Sequence, residues 1–226
     1  PDHPDENDTL PLTQFEDLQR RLADVADVFA WRDALLRNIE GDGAQYQGSV
    51  NEVSGNFFAV MGVKPLLGRL LDAHDAATIN AGASARVAVL DYRTWKTRFG
   101  GDPNVVGRTL VVDGTPLTIV GVTPETFSGL NVSYAPDATV PIGFDLPRIP
   151  DHATPTSPFT YFVGARLKDG VRQADAAARL DAVWPAVRQN TEPAAASPAQ
   201  RTRFFATRAH LESLRTGVIG SVTTIQ

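Results

Sequence analysis

Cysteine is absent from this chain of 226 residues, and methionine occurs only once. The absence of cysteine excludes disulfides, thiolate zinc sites, iron–sulfur clusters and cysteine nucleophiles. Long apolar runs are also lacking, since none approaches the roughly 18–20 residues that a membrane-spanning helix needs. Histidine is then the natural starting point for metal or acid–base chemistry, and serine for a nucleophile.

The remaining composition is that of a globular protein, with 42% hydrophobic and 21% charged residues. The length suffices for one large domain or two small ones, each with its own core. The 21 Lys and Arg against 26 Asp and Glu give a net charge of -5. This balance argues against a nucleic-acid partner, because a duplex is bound by a basic face. The start at Pro1, without Met, leads us to expect a segment of a longer protein.

Apolar periodicity and turn residues predict short strands and helices joined by several hairpins, which indicates the α+β class. The expected strands are Val28–Trp31, Leu35–Glu40, Tyr46–Val53, Arg86–Leu90, Arg108–Val112, Pro116–Val122, Ala138–Ile142, Thr160–Leu167 and Arg203–Thr207. Asp113-Gly114 predicts a tight hairpin turn, because this dipeptide favours positive φ angles.

Four helices are predicted from caps and apolar spacing. They are Thr13–Val25 with a capping box at Thr13 and Glu16, a short helix between Ser54 and Gly62, a helix from the Asp91 cap to Phe99, and Val171–Gln189. Pro185 lies inside the last one and is expected to kink or end it.

Metal and acid–base chemistry have little support in the sequence. The four histidines, His3, His74, His152 and His210, are scattered, and no two share a helical face. The single local cluster of hard ligands is Asp72–Asp75 with His74, which is interpreted as a solvated acidic loop.

Nucleophile and nucleotide motifs are equally lacking. Ser54-Gly55 and Ser128-Gly129 do not lie in a Gly-x-Ser-x-Gly elbow, and no phosphate-binding loop is present. Gly101–Gly107 is glycine-bounded, but Pro103 has no amide to donate, so a turn into a short helical segment is expected. Five aromatic residues are assigned to the core rather than to a ligand pocket: Phe57, Phe58, Trp95, Phe99 and Phe127. The sequence therefore predicts no catalytic, cofactor-binding or metal-binding residue, and no cofactor.

One series of motifs is specific. It comprises Val53-Ser-Gly-Asn-Phe-Phe-Ala-Val-Met-Gly-Val63, Pro65-Leu-Leu-Gly-Arg69, Val87-Ala-Val-Leu-Asp91, Trp95-Lys-Thr-Arg-Phe-Gly-Gly-Asp-Pro-Asn-Val-Val-Gly-Arg108, Leu110-Val-Val-Asp-Gly114, Thr118-Ile-Val-Gly-Val122 and Pro136-Asp-Ala-Thr-Val-Pro141. This order resembles the MacB-like periplasmic core domain of type VII (MacB/FtsX-like) ABC-transporter permeases. The resemblance is strong over residues 45–142.

The resemblance implies a two-lobed periplasmic domain. Residues 10–60 and 159–208 would form a porter-like α+β lobe, 61–150 a second mixed lobe inserted into it, and 209–226 a stem towards a membrane helix. The domain would lie on the periplasmic side of the inner membrane. The implied partners are the protein's own transmembrane helices, a cytoplasmic ATPase domain or subunit, and an extracytoplasmic adaptor or cargo.

The implied role is mechanical: the domain would couple ATP-driven motion of the membrane helices to that partner or cargo, and would not be an enzyme. The full-length permease is expected to be dimeric, while the isolated domain can be monomeric. Two alternatives stay open at the level of sequence, namely a free periplasmic binding module and a hydrolase that uses a serine or the Asp72–Asp75 loop.

Overall fold

The structure, a computed structural model, describes residues 9–76, 84–131, 135–144, 160–190, 197–206, 209 and 211. The chain divides into two compact units. Within the described part, the first unit holds residues 9–30 and those from 160 onward, and the second holds residues 31–144. No helix in the described ranges is long and apolar enough to cross a membrane.

Strands and helices interleave along the chain, as expected for the α+β class. The strands are β1 (Thr9–Pro11), β2 (Ala26–Gly41), β3 (Ala44–Val53), β4 (Leu67–Gly68), β5 (Val87–Leu90), β6 (Thr109–Val112), β7 (Thr115–Val122), β8 (Ala138–Pro141) and β9 (Thr160–Leu167). The helices are α1 (Leu12–Arg21), α2 (Phe57–Met61), α3 (Tyr92–Arg98), α4 (Gln173–Asn190) and α5 (Pro198–Ala206), and Pro103–Val105 forms a 3-10 turn. The sheet is mixed, with both parallel and antiparallel pairs.

The first unit packs α1 and α4 against a small sheet. Its strand order is β1-β9-β2, and β1 runs antiparallel to β9. Gly164 in β9 is needed here, because a Cβ at this position would lie 2.4 Å from the Phe29 ring. Burial of the apolar faces of both helices stabilises the unit through side chains including Leu12, Phe15, Leu18, Val183 and Val187.

The second unit is a closed barrel. Its strands pair in the order β2-β3-β8-β5-β7-β6, and β6 returns to pair with β2. Side chains fill its interior, as in other small barrels. The buried cluster comprises Ile39, Val50, Ala88, Leu90, Trp95, Phe99, Val105, Leu110, Val112, Leu117, Ile119, Val122, Ala138, Val140 and Phe144.

Two arginine–aspartate pairs bridge the short joint between β2 and β6, which has only the register pairs Ile39↔Val112 and Glu40↔Val111. Arg37 pairs with Asp113 at 3.0 Å, and Arg108 pairs with Asp42. Each aspartate occupies the first position of an Asp-Gly turn with positive φ, so each hairpin contributes one arginine and one aspartate. The turn predicted at Asp113-Gly114 is confirmed, with φ of 47° and 76°.

Asp137 reinforces the barrel on the other side, where β8 meets β3 and β5. Its carboxylate accepts the Ser49 amide at 2.8 Å and the Thr94 hydroxyl at 3.0 Å. Its backbone carbonyl accepts the Asp91 amide at 3.1 Å. Gly48 makes room for this carboxylate, since a Cβ there would lie 2.7 Å from Asp137 Oδ2. One side chain thus ties together two strands and α3.

Several expectations for single elements are wrong. Helix α1 begins at Leu12 with Pro11 as its N-cap, so Thr13 is already inside the helix and the capping box does not form. The two strands expected at Val28–Trp31 and Leu35–Glu40 are one strand, β2, because a bulge between Arg32 and Leu35 lets the pairing with β3 continue.

The helix expected at Val171–Gln189 is confirmed as α4, which runs from Gln173 to Asn190. Pro185 does not end it, and Val183 and Val187 are buried on either side of the proline. The next element differs from expectation. The strand expected at Arg203–Thr207 is wrong for residues 203–206, which belong to α5 instead, and Thr207 lies outside the described residues. Helix α5 starts at Pro198, a residue well suited to the first helical position.

The expected lobe boundaries remain a prediction. The division between the two units falls after Ala30, within β2, whereas the resemblance places the lobe boundary at residue 60. The stem expected at 209–226 lies outside the described residues except for Ala209 and Leu211.

We expect the Arg37–Asp113 pair to contribute measurably to barrel stability, since both side chains are about four-fifths buried. A double-mutant cycle with Arg37→Gln and Asp113→Asn should give a coupling energy of about 1 kcal/mol in urea unfolding. Asparagine is chosen because it tolerates the positive φ of this turn.

The matched control is the exposed pair Arg172–Asp175 in the first unit, at 2.7 Å. The same two substitutions there should show no measurable coupling, because water screens the charges. Equal coupling in both cycles would mean that the joint between β2 and β6 does not depend on this ion pair.

Candidate functional site

A small cavity in the second unit combines polar and aromatic side chains. Its lining is Asn51, Val53, Phe57, Asp91, Thr123, Phe127, Gly129, Pro136 and Thr139. The ends of β3, β5, β7 and β8 place the four polar side chains together, and the loop after β7 supplies Phe127. All four polar residues are buried, so their hydrogen bonds decide what the cavity can do.

Asp91 is the titratable group of this cavity, and the predicted helix cap at this position is confirmed. Its carboxylate accepts the Arg93 amide at 2.9 Å at the start of α3. Burial raises the pKa of Asp91, and the nearby Asp137 carboxylate raises it further, although the Arg93 amide and charge oppose the shift. The carboxyl is thus committed to capping a helix.

Two other polar side chains of the cavity have structural partners as well. Thr123 Oγ1 accepts the Tyr92 amide at 3.2 Å, and Asn51 Nδ2 lies 3.5 Å from Asp33 Oδ1. Asp91 and Thr123 thus both bind backbone amides at the start of α3, which is a structural use of the lining rather than a catalytic one.

The two serine candidates do not form a catalytic group in the described part of the chain. Ser54 is buried and donates to Asn56 Oδ1 at 2.8 Å. Gly55 is needed for close packing, because a Cβ there would lie 2.4 Å from the Asp72 carbonyl oxygen. Ser128 lies exposed in the loop after β7.

His74 is the one histidine among the described residues, and its ring is 97% exposed. Its Nδ1 lies 3.2 Å from Asp72 Oδ1, away from any cavity. His3, His152 and His210 lie outside the described residues. Within the described ranges, no group of three histidine, aspartate or glutamate side chains is placed to hold a metal ion.

The loop from Asp72 to Asp75 serves the fold. Asp75 is buried and binds both terminal nitrogens of Arg69, at 2.6 and 2.9 Å, as well as the Asp72 amide at 3.0 Å. Burial by itself raises the pKa of Asp75, but the Arg69 hydrogen bonds and the Asp72 amide outweigh it, and the net shift is downward. Asp72, Ala73 and His74 are exposed, as expected for a solvated loop, and only Asp75 departs from that expectation because it is buried in the ion pair with Arg69.

The five aromatic residues are mostly core, as predicted. Phe57, Phe58, Trp95 and Phe99 are buried, and Phe127 is half-buried. The rings of Phe57, Phe58 and Phe127 form an edge-to-face cluster with centroids 5.3 to 6.3 Å apart. Phe57 and Phe127 also line the cavity, so these two residues belong both to the aromatic cluster and to the cavity wall.

Sequence reasoning missed a cationic face on α3. Every charged residue of this helix is basic, and Arg93, Lys96 and Arg98 are all exposed. Lys96 Nζ lies 4.6 Å from the centroid of the Trp95 ring, and Arg98 Cζ lies 4.2 Å from that of Tyr46. The all-basic composition of residues 92–98 was the available signal.

Tyr46 closes one end of this face. Its hydroxyl is buried and has no hydrogen-bond partner among the residues that the structure describes. Burial raises the pKa of Tyr46 to about 12, with the Asp137 carboxylate adding to the shift and Arg98 opposing it. The ring therefore stays neutral at physiological pH and offers its face to the Arg98 guanidinium.

The model of a known protein family, described as "MacB-like periplasmic core domain", matches residues 1–183 of this chain. The chain belongs to the MacB-like periplasmic core domain family. It is thus an extracytoplasmic domain of a MacB-like ABC-transporter permease, which confirms the family inferred from the motifs.

A relative from Rhodopseudomonas palustris (strain BisB18), the "Macrolide export ATP-binding/permease protein MacB", is 34% identical over 101 residues. The aligned part covers 42% of this chain and 15% of the relative. The chain therefore spans only a small part of the curated relative that it matches.

Solved structures show the same fold. The periplasmic region of MacB from Actinobacillus actinomycetemcomitans matches with a TM-score of 0.58 at 17% identity, covering 79% of this chain and 74% of that one. The extracellular domain of the noncanonic ABC-type transporter YknZ from Gram-positive bacteria matches with a TM-score of 0.56 at 13% identity, covering 84% and 89%.

Asp91 and Asp75 should respond to pH with opposite signs. The raised pKa of Asp91 means that its contribution to stability is present at low pH and is lost as the pH rises through the folded-state value. Asp91→Asn keeps the cap, so at pH 7 it should leave the free energy of unfolding unchanged or increase it.

The lowered pKa of Asp75 means that its contribution is present at neutral pH and is lost as the pH falls. Asp75→Asn should therefore destabilise the protein at pH 7. The Asp91 difference should vanish below about pH 3.9, the ordinary pKa of aspartate, whereas the Asp75 difference should persist at that pH and vanish only as the pH falls through its lowered folded-state pKa. Urea unfolding at several pH values measures this, and differences of the same sign at pH 7 would contradict the assignment.

Proposed function

We propose that this domain transmits ATP-driven motion of membrane helices to an extracytoplasmic partner or cargo, without catalysing a reaction itself. The family match over residues 1–183 carries the proposal. Its expected partners are the protein's own transmembrane helices, a cytoplasmic ATPase domain or subunit, and an extracytoplasmic adaptor or cargo. The expected site is the periplasmic side of the inner membrane, in a dimeric permease.

The course of β2 supports a mechanical role. This strand runs from Ala26 to Gly41, and the boundary between the two units lies within it. A hydrogen-bonded strand has fixed backbone dihedrals, whereas a linker of comparable length behaves as a flexible coil. The chain that crosses the unit boundary is therefore ordered strand rather than flexible coil. The porter-like lobe at 10–60 and 159–208, with its inserted lobe at 61–150, is part of this proposal.

The use of polar groups in the second unit also supports a non-catalytic domain. Asp91 caps α3, Asp75 binds Arg69, and Asp137 joins β3 to α3. These carboxylates carry out structural tasks. The hydrolase alternative is not favoured, because Ser54 donates to Asn56 and Ser128 lies exposed in the loop after β7. ATP chemistry is assigned to a different domain or subunit, because the sequence contains no phosphate-binding loop.

Distance measurements in the full-length permease test this proposal. Because this domain has no cysteine, Lys64→Cys places one spin label in the second unit and Arg166→Cys places one in the first. Both side chains are exposed. In the reconstituted dimer, the distance between the two labels at either position should differ between the nucleotide-free and ATP-trapped states.

The control is a pair of labels within the second unit, at Lys64 and Thr97, whose separation should stay constant if the barrel moves as one body. If the permease hydrolyses ATP while the distances at both Lys64 and Arg166 stay constant, the domain does not follow the ATP cycle. The coupling function would then be wrong.

A further inference from the structure

The outer face of α3 carries three cations that form no close ion pair in the described part of the chain. No described carboxylate lies within 4.0 Å of the side-chain nitrogens of Arg93, Lys96 or Arg98. The Arg93 charge acts on the Asp91 carboxylate only at longer range. Other arginines of the second unit are paired, namely Arg32 with Glu52, Arg37 with Asp113, Arg69 with Asp75 and Arg108 with Asp42. Lys64 and Arg86 are also exposed without such a partner, but each stands alone.

This arrangement has an energetic cost within the domain. Like charges three residues apart on a helix repel each other, and Arg93 lies in the first turn, where the helix dipole disfavours a cation. The dipole favours only Lys96 and Arg98, in the last turn. The net charge of the chain is -5, so general basicity does not explain three cations on seven residues.

Aromatic rings hold two of these cations in place. The Lys96 ammonium lies over Trp95 at 4.6 Å and near Tyr92 at 5.8 Å, and Arg98 lies over Tyr46 at 4.2 Å. Side chains that are already ordered lose less rotamer entropy on binding. Arginine, tyrosine and tryptophan are also the residues that contribute most binding energy at protein interfaces.

From this geometry we propose that the α3 face, defined by Tyr46, Tyr92, Arg93, Lys96 and Arg98, docks an acidic segment of a partner protein. The complementary chemistry is a run of two or three carboxylates, which would neutralise cations that the domain leaves without partners. The proposal deepens the coupling function, because it assigns a surface and a chemistry to the extracytoplasmic partner.

A lipid surface is the less favoured anionic ligand. A helix that binds a membrane interface presents bulky apolar side chains on the face that enters the lipid. The apolar residues at this end of the barrel, Trp95 and Phe99, are instead buried in the core. The exposed positions of α3 are Arg93, Lys96, Thr97 and Arg98, and none of them offers an apolar side chain to insert.

Binding of a labelled acidic peptide to the 226-residue chain tests the proposal. The probe is a fluorescein-labelled peptide of alternating Glu and Ser, with Gln-Ser and Lys-Ser peptides as references, measured by fluorescence anisotropy at low ionic strength. The wild-type chain should bind the Glu-Ser peptide only, and the affinity should fall as salt is added. Failure of the wild-type chain to bind it would overturn the proposal.

Two triple variants separate the α3 face from overall charge. Arg93→Gln with Lys96→Gln and Arg98→Gln should weaken binding about tenfold or more. The control removes the same three charges elsewhere, with Lys64→Gln, Arg86→Gln and Arg166→Gln, and should retain binding within about twofold. Equal weakening by both variants would overturn the proposal, as would wild-type affinity in the α3 variant.

A further variant and a competitor complete the design. Arg93→Lys with Arg98→Lys keeps every charge and should retain most of the binding, whereas loss of binding there would contradict recognition by charge. Anionic phosphatidylglycerol vesicles should compete poorly, and vesicles that bind more tightly than the peptide through the same three residues would overturn the choice of a protein partner. No nucleotide or membrane helix is involved, so a negative result leaves the distance experiment on coupling unaffected.

Discussion

Closure of the barrel is the constraint on which the second unit depends. The joints β2–β6 and β5–β8 have only two register pairs each, so backbone pairing alone holds them weakly. Two aspartates add bonds beside these joints. Asp113 joins β6 to β2 through Arg37 and the Asn38 amide. Asp137, just before β8, accepts the Asp91 amide after β5 with its carbonyl and the Thr94 hydroxyl of α3 with its carboxylate.

The local features of this arrangement could be predicted from the sequence. The Asp113-Gly114 turn and the Asp91 cap each depend on a few adjacent residues, and both occur where expected. The closure itself could not be predicted. Arg37 and Asp113 are 76 residues apart, and nothing in either hairpin specifies which arginine its aspartate meets. The single strand β2 was missed for a related reason, since a bulge interrupts its alternation but not its pairing.

The pairing of charged side chains was the least predictable property of the candidate sites. The Asp72–Asp75 loop resembles an exposed acidic cluster in the sequence, yet Arg69 buries Asp75 in an ion pair. In the sequence, the basic residues of α3 look like an ordinary solvated face. The structure distinguishes them, because no described carboxylate lies within 4.0 Å of their side-chain nitrogens. Whether a charge is paired depends on distant segments of the chain, so composition alone does not reveal which charges a partner can use.

The order of the two units along the chain has a consequence for folding. The barrel is built from one uninterrupted stretch, residues 31–144, whereas the first unit needs β9 and α4, which follow its β1 and α1 by about 150 residues. During synthesis, which proceeds from the N-terminus, the barrel is therefore complete before the first unit has all its strands. Residues 9–30 are synthesised first but lack their packing partners until β9 and α4 have been made. Their apolar faces are exposed during that time, so they are the part of this domain most in need of protection by chaperones.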